Sequence, residues 1–258
     1  MAHSNQIENV VQITRGDAAS PVVLVCEHAS HLIPDEFDNL GLPEAAKRSH
    51  IAWDPGAHEV ASHMSQHLQA VLVESKISRL VYDCNRPPEA PDAMPARSEA
   101  FAIPGNEGLT KQDRAQRAQA FYDPFRRSLA TQINARKCPV IITIHSFTPV
   151  YNGTVRDVEI GILQDDDGRL ADAFLNAAPR HTDLRVQRNA PYGPEHGVTH
   201  TLKTHAVPQR HLNVMIEIRN DLIATESAQL EMATLFSRWA VDALATLGVS
   251  LEHTSCKV

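Results

Sequence analysis

No stretch of about 18 consecutive apolar residues occurs in the 258-residue chain, so no transmembrane helix is expected. The opening "MAHSNQIENVVQITRGD" lacks the basic start and apolar middle of a signal peptide. Basic residues are outnumbered, 24 against 31 acidic ones, and the net charge of −7 supplies no cationic face for a phosphate backbone. Nucleic acid and membrane are therefore not expected partners. The four cysteines, Cys26, Cys84, Cys138 and Cys256, contain no CxxC spacing, and two sit inside apolar runs. They read as reduced thiols of a cytoplasmic protein. The chain also has no GxGxxG or GxxxxGK[ST] loop, no HExxH frame and no GxSxG elbow. Nucleotide binding, zincin-type proteolysis and serine hydrolysis are disfavoured accordingly.

What the chain does have is 43% apolar residues, 14 histidines and a regular alternation of patterns. Length and apolar content suit one α/β domain spanning 1–258. Short apolar runs predict strands at 10–14, 22–26, 71–74, 79–83, 140–145, 158–163, 184–187 and 212–218. Several, such as VVLVC and VIITI, are continuously apolar, as strands covered on both faces must be. Helical periodicity predicts helices over 56–69, 110–136 with a break near Pro124, 169–177, and 226–247 capped by Thr225. The alternation implies a three-layer α/β sandwich with a mixed, mostly parallel sheet. The Pro-rich segment 86–109 is too long for a plain connector and is a candidate functional loop.

Ligands of open α/β sheets gather at the carboxyl ends of strands. Those ends carry Glu27-His28, Asp83 with Asn85 and Arg86, and His145, while Glu217 lies inside "VMIEIRNDL". Two imidazoles at matching strand ends fit two of the three protein ligands of a catalytic zinc site; each alone would more simply be a loop hydrogen-bonder. Asp54 is the favoured third ligand, although Asp is also a good helix cap and Pro55 would then take the first helical position. His31 is its rival. Glu27 and His28, being adjacent, should point to opposite faces. Glu217 in an apolar strand needs a function or a partner. It reads as a general base, or as the partner of Arg219 two residues on. Asn85 and Arg86 suit a substrate carboxylate, with Arg97 and Arg219 as candidates for a second anionic group. His200, in the Gly-containing stretch 188–208, is a candidate pocket residue that polarises a carbonyl.

The ordered pieces "CEHASHLIP", "WDPGA", "YDCNRPP", "IHSFTP", "PYGPEHGVTHTL" and "IEIRNDLI" together resemble the N-formylglutamate amidohydrolase family from about residue 20 to about residue 245. The resemblance implies a phosphorylase/hydrolase-like fold related to zinc carboxypeptidases, with one divalent metal, most simply zinc. It implies His28 and His145 as ligands, Asn85 and Arg86 at the substrate carboxylate, and Glu217 as base. In the carboxypeptidase pattern a Glu follows the first His by three residues; here that place holds His31. The implied reaction is hydrolysis of N-formyl-L-glutamate to formate and L-glutamate, a step of histidine breakdown. The "CEHAS" opening resembles a divergent branch, so an N-acyl amino acid is the broader expectation for this small anionic substrate. A zinc peptidase, a cell-wall amidase, or a non-catalytic binder of an anionic metabolite are the alternatives.

Overall fold

The computed structural model describes residues 10–14, 16–17 and 19–251, and Cys256 lies outside them. Seven strands form the main sheet: β1 Val11–Thr14, β2 Val22–Cys26, β3 Val71–Ser75, β4 Val140–Phe147, β5 Ile160–Leu163, β6 Val186–Arg188 and β7 Leu212–Arg219. Their spatial order is β1-β3-β2-β4-β7-β5-β6. The four central strands β3, β2, β4 and β7 are mutually parallel. β1 is antiparallel to β3 at one edge, and β5 is antiparallel to β7 near the other. The expected mixed, mostly parallel sheet is therefore present. All residues of β2 and β4 are buried, as the apolar runs VVLVC and VIITI require, and β4 carries His145 and Ser146 into the interior beyond its run.

Helices cover both faces. One side carries α1 Ala57–His67, α4 Arg169–His181 and α6 Glu226–Thr246. The side chains of Leu24, Ile142 and Ile216 meet Met64, Phe174 and Trp239 there. Trp239 satisfies its buried indole by donating to the Phe174 carbonyl at 2.8 Å. Thr225 caps α6 as expected, its Oγ1 accepting from the Ala228 amide. The other side carries α2 Lys111–Arg117, α3 Asp123–Asn134 and the short α5 His200–His205, with Phe125 and Leu129 facing Val23, Val25 and Ile141. The break expected near Pro124 takes the form of a π-helical turn over Ala118–Tyr122, in which the Asp123 amide reaches back to the Ala118 carbonyl. Pro124 has no N–H and its ring crowds the carbonyl four residues back; the wider turn lets the helix continue. No helix of the described residues is long and apolar enough to cross a membrane.

One expected strand is absent. Residues 79–83 form turns, not a strand. Leu80, Val81 and Tyr82 are apolar because this connection is itself buried in the second core, and burial without ladder pairing mimics a strand in sequence. The segment 86–109 is likewise not structureless. It holds a two-residue-per-strand hairpin, Arg97–Ser98 with Phe101–Ala102, and short helical turns at Pro91–Ala93 and Pro104–Asn106.

A pair on the α1 side gives a pH prediction. His58 Nε2 lies 3.0 Å from Glu74 Oε1 at the end of β3, and its Nδ1 lies 3.5 Å from Glu59 Oε1. Bonding to Glu59, then to Glu74, raises the imidazole to about 10 against burial. A raised folded pKa means the stabilisation is complete below the unfolded value near 6.5 and is lost as pH rises through about 10. The ring is a third exposed, so solvent screening limits the gain to about 1 kcal/mol. Urea midpoints of wild type and His58→Gln should differ at pH 6 and converge at pH 10.5.

Candidate metal centre and cavity

The parallel register sets Glu217 of β7 directly beside His145 of β4. Neighbours in register point to the same face, here the face shared with Val25 and Met215. β2 pairs with β4 through Val25 and Thr143, so the same register continued past its end brings Glu27 level with His145. Glu27 Oε2 indeed lies 3.1 Å from His145 Nε2. The expectation that Glu27 and His28 diverge overlooked this: Glu27 enters the site through the far nitrogen of His145, while His28, beyond the strand, bends in from the other side.

Three atoms converge. His28 Nδ1 and His145 Nδ1 are 3.2 Å apart, and Asp54 Oδ2 is 3.1 Å from the first and 2.8 Å from the second. All three side chains are buried. The opposite ring nitrogens are held by carboxylates: His28 Nε2 is 2.7 Å from Asp83 Oδ1, and His145 Nε2 faces Glu27. An ionised carboxylate only accepts, so the hydrogen of His28 sits on Nε2 in its bond to Asp83, and the charge of Glu27, in ion-pair contact at 3.1 Å, draws the hydrogen of His145 to its Nε2. In the neutral rings both Nδ1 atoms are then bare lone pairs, aimed with a carboxylate oxygen at one point. Three acceptors without a donor call for a cation. Ligand atoms held ~2.0–2.1 Å from one tetrahedral ion stand roughly 3.3 Å apart, close to the separations seen. The donor set therefore fits a divalent metal. His31 does not join it; its ring packs on Trp53 at 5.0 Å.

Charge points the same way. Four buried carboxyl groups, Glu27, Asp54, Asp83 and Glu217, surround the point, against one guanidinium, Arg79. Arg79 bridges Asp54 Oδ1 at 3.2 Å and Asp83 Oδ2 at 2.8 Å, which fixes both carboxylates. Burial alone would lower His145, yet Glu27 and Asp54 lift it well above the ordinary imidazole value. The same anionic field that favours a proton on this ring favours a cation at the triangle. Glu217 behaves oppositely. Burial, reinforced by Asp54, raises its carboxyl to about 7, although His145, His28 and Arg79 pull the other way. Among the described residues its Oε2 has no hydrogen-bond partner. The expected ion pair with Arg219 does not form, because Arg219 turns to Asp221 at 2.8 Å and Glu159 at 3.4 Å.

The helix following Asp54 starts later than its sequence implies. It begins at Ala57 with Gly56 as the cap at φ +80°, so Pro55 is not the first helical residue. Asp54 is thereby released from capping and faces the imidazoles. A Cβ at Gly56 would stand 2.6 Å from the Ile223 carbonyl oxygen. Gly56→Ala combines a left-handed backbone with a backbone clash and should cost about 1–3 kcal/mol. A lowered urea midpoint, with a matching loss of bound metal as Asp54 shifts, is the expected result.

These groups form the floor of a cavity of about 560 Å³. Asn85 and Arg86 line it but are engaged by the protein. Asn85 donates to the Val198 carbonyl and accepts from the Thr201 amide, tying down the 198–201 turn. Arg86 gives Nε to Asp92 at 2.7 Å and Nη1 to the carbonyls of Asn85 and Gly197. Arg97 lines the rim, and among the described residues its side chain bonds only the Glu99 carbonyl. Arg219 and His200 are not among the lining residues. His200 Nε2 instead meets the Tyr122 hydroxyl at 2.7 Å, and burial lowers its pKa. Two lining arginines escaped the sequence reading. Arg79 was hidden by the false strand at 79–83. Arg156 follows "YNGTV", where Asn152-Gly153 forms the turn of the hairpin Val150–Tyr151 with Thr154–Val155. That Asn-Gly signal was available in the sequence.

Comparison with known proteins agrees with this geometry. The sequence model of N-formylglutamate amidohydrolase matches residues 20–224. A gene product of Agrobacterium tumefaciens with a crystal structure is 50% identical, covers 93% of this chain and 96% of its own, and superposes with a TM-score of 0.86. The N-formylglutamate amidohydrolase of Ralstonia eutropha superposes with a TM-score of 0.60 at 17% identity, over 89% of this chain and 96% of its own, and bears on the fold alone. No curated protein matches.

Proposed function

The chain belongs to the N-formylglutamate amidohydrolase family, and from that membership we propose that it hydrolyses the amide bond of an N-acyl amino acid, specifically N-formyl-L-glutamate to formate and L-glutamate. The observation that carries the proposal is the buried triangle of His28 Nδ1, His145 Nδ1 and Asp54 Oδ2 with the unpartnered carboxyl of Glu217 beside it. His28, Asp54 and His145 would hold a divalent cation, with zinc the assignment, which when bound supplies Lewis acidity to an amide carbonyl and acidifies water. Asp83 and Glu27 orient the two imidazoles through their Nε2 atoms. Arg79 keeps Asp54 and Asp83 in place.

Glu217 takes the proton of the attacking water and returns it to the departing amide nitrogen. A carboxyl raised toward neutrality can both accept and release a proton near pH 7, which is the requirement for that shuttle. Arg97, exposed at the rim, offers a cationic contact to an anionic substrate on entry. The deciding experiment is metal analysis of the purified protein followed by formate release from N-formyl-L-glutamate, with and without chelator. A panel of N-acyl amino acids under saturating zinc then sets the acyl group. Protein prepared with zinc that holds none, or zinc-loaded protein that cleaves no member of the panel, overturns the proposal.

A further inference from the structure

Four arginines line the cavity, and their engagement differs. Arg79 is neutralised by Asp54 and Asp83, and Arg86 by Asp92. Arg97 is exposed at the rim. Arg156 is half-buried and has no carboxylate partner among the described residues. Its guanidinium lies 4.5 Å from the Tyr151 ring centroid, 4.7 Å from that of Tyr192 and 5.6 Å from that of Phe147. Nη2 donates to the Tyr192 hydroxyl at 2.7 Å and Nη1 to the Thr148 carbonyl at 3.3 Å. A guanidinium has five N–H donors, so three remain for a ligand.

We infer that Arg156, held in this aromatic cage, is the specificity-determining residue that receives a carboxylate of the substrate. The inference rests on the amidohydrolase reading and adds to it which side chain selects the anion. Three rings and two hydrogen bonds fix the plane and direction of the guanidinium before any ligand arrives. Little rotamer freedom is then left to lose on binding, unlike at the exposed Arg97. The cage also lowers the local dielectric, which strengthens a charge-assisted bond. Position follows from the chain: Phe147 ends β4 two residues beyond His145, a rise of about 7 Å along the strand. Tyr192 links the cage to the chemistry, since its hydroxyl bonds Arg156 and it lines the same cavity as Glu217. Because Arg86 already answers Asp92, the Arg best placed to discriminate charge is not the one beside Asn85 but the one beyond the hairpin turn.

The test compares wild type, Arg156→Gln, Arg156→Lys and Tyr192→Phe, all zinc-loaded. Steady-state kinetics use N-formyl-L-glutamate and its two monoamides, N-formyl-L-glutamine and N-formyl-L-isoglutamine. L-glutamate binding is measured separately by titration calorimetry. Arg156→Gln should raise KM for N-formyl-L-glutamate on the order of 10- to 100-fold. It should also weaken L-glutamate binding by a similar factor and abolish discrimination against one monoamide. That monoamide identifies which carboxylate Arg156 receives. Lys should restore part of the loss, and Tyr192→Phe should raise KM less than Arg156→Gln does. Unchanged KM and unchanged discrimination in Arg156→Gln overturn the inference while leaving the proposed reaction intact. If wild type turns over no substrate, the proposed reaction fails, and calorimetry decides the inference alone: equal L-glutamate binding by wild type and Arg156→Gln, or none by wild type, overturns it.

Discussion

Glu217→Gln is expected to lower turnover of N-formyl-L-glutamate by about 10²–10⁴-fold, the usual contribution of a positioned general base, while zinc content is unchanged. The side chain keeps its shape and loses only the ability to hold the transferred proton. Stability should move the other way. Buried beside Asp54 with one oxygen unpartnered, the carboxyl has its pKa raised from 4.5 to about 7. An acid whose folded pKa is raised binds more protons in the folded state than in the unfolded state between those values. Its ionisation therefore removes stability as pH rises from about 4.5 to 7, and the loss is complete above that window. Metal-free Glu217→Gln should be more stable than metal-free wild type at pH 8, by on the order of 3 kcal/mol, and little different at pH 4.5. Urea denaturation at the two pH values checks this. A variant that loses activity together with its zinc, or that is destabilised at pH 8, would show a structural carboxylate in place of a base.

The second large effect concerns the metal. His145→Ala removes one corner of the triangle and leaves Glu27 buried opposite nothing. Loss of zinc by well over about 100-fold in affinity is expected, with activity lost in parallel, because even outer partners are worth 10–100-fold. Asp83→Asn supplies the calibrated comparison. Asp83 reaches the triangle through His28 Nε2 and Arg79 and otherwise accepts from the Asn85 amide, so this change should fall within that 10–100-fold range. Elemental analysis after dialysis against graded chelator, and activity restored by added zinc, separate the two variants. Equal zinc retention by His145→Ala and wild type would remove His145 from the centre.

Much of this arrangement was legible in the residues. Continuous apolar runs identified β2, β4 and β7 because a strand covered on both faces has no polar position to break its pattern. His28, His145 and Glu217 stood out because an ionisable group at or in such a run needs a reason. Periodicity and Thr225 located α6. What the residues misplace or leave open has physical causes as well. Leu80, Val81 and Tyr82 read as a strand because a buried turn has the composition of one. The cap remains an alternative to the ligand role of Asp54 because the left-handed Gly56 that takes the cap is visible only in the backbone. Strand spacing offers Arg219 as an alternative partner for Glu217, whereas Asp221 and Glu159 lie closer once the loops are placed.

The sequence by itself determined the layers, the strand ends and the kinds of group delivered there, because hydrophobic periodicity and the cost of burying charge are local properties of the chain. Only the tertiary structure decided which of those groups meet. Sheet register set Glu217 and Glu27 on either side of His145. The turn after His28 admitted Asp54 and left His31 against Trp53, and a distant hairpin carried Arg156 into the cavity. Contacts between positions from some twenty to more than a hundred residues apart depend on strand order and loop closure, and no local pattern encodes them.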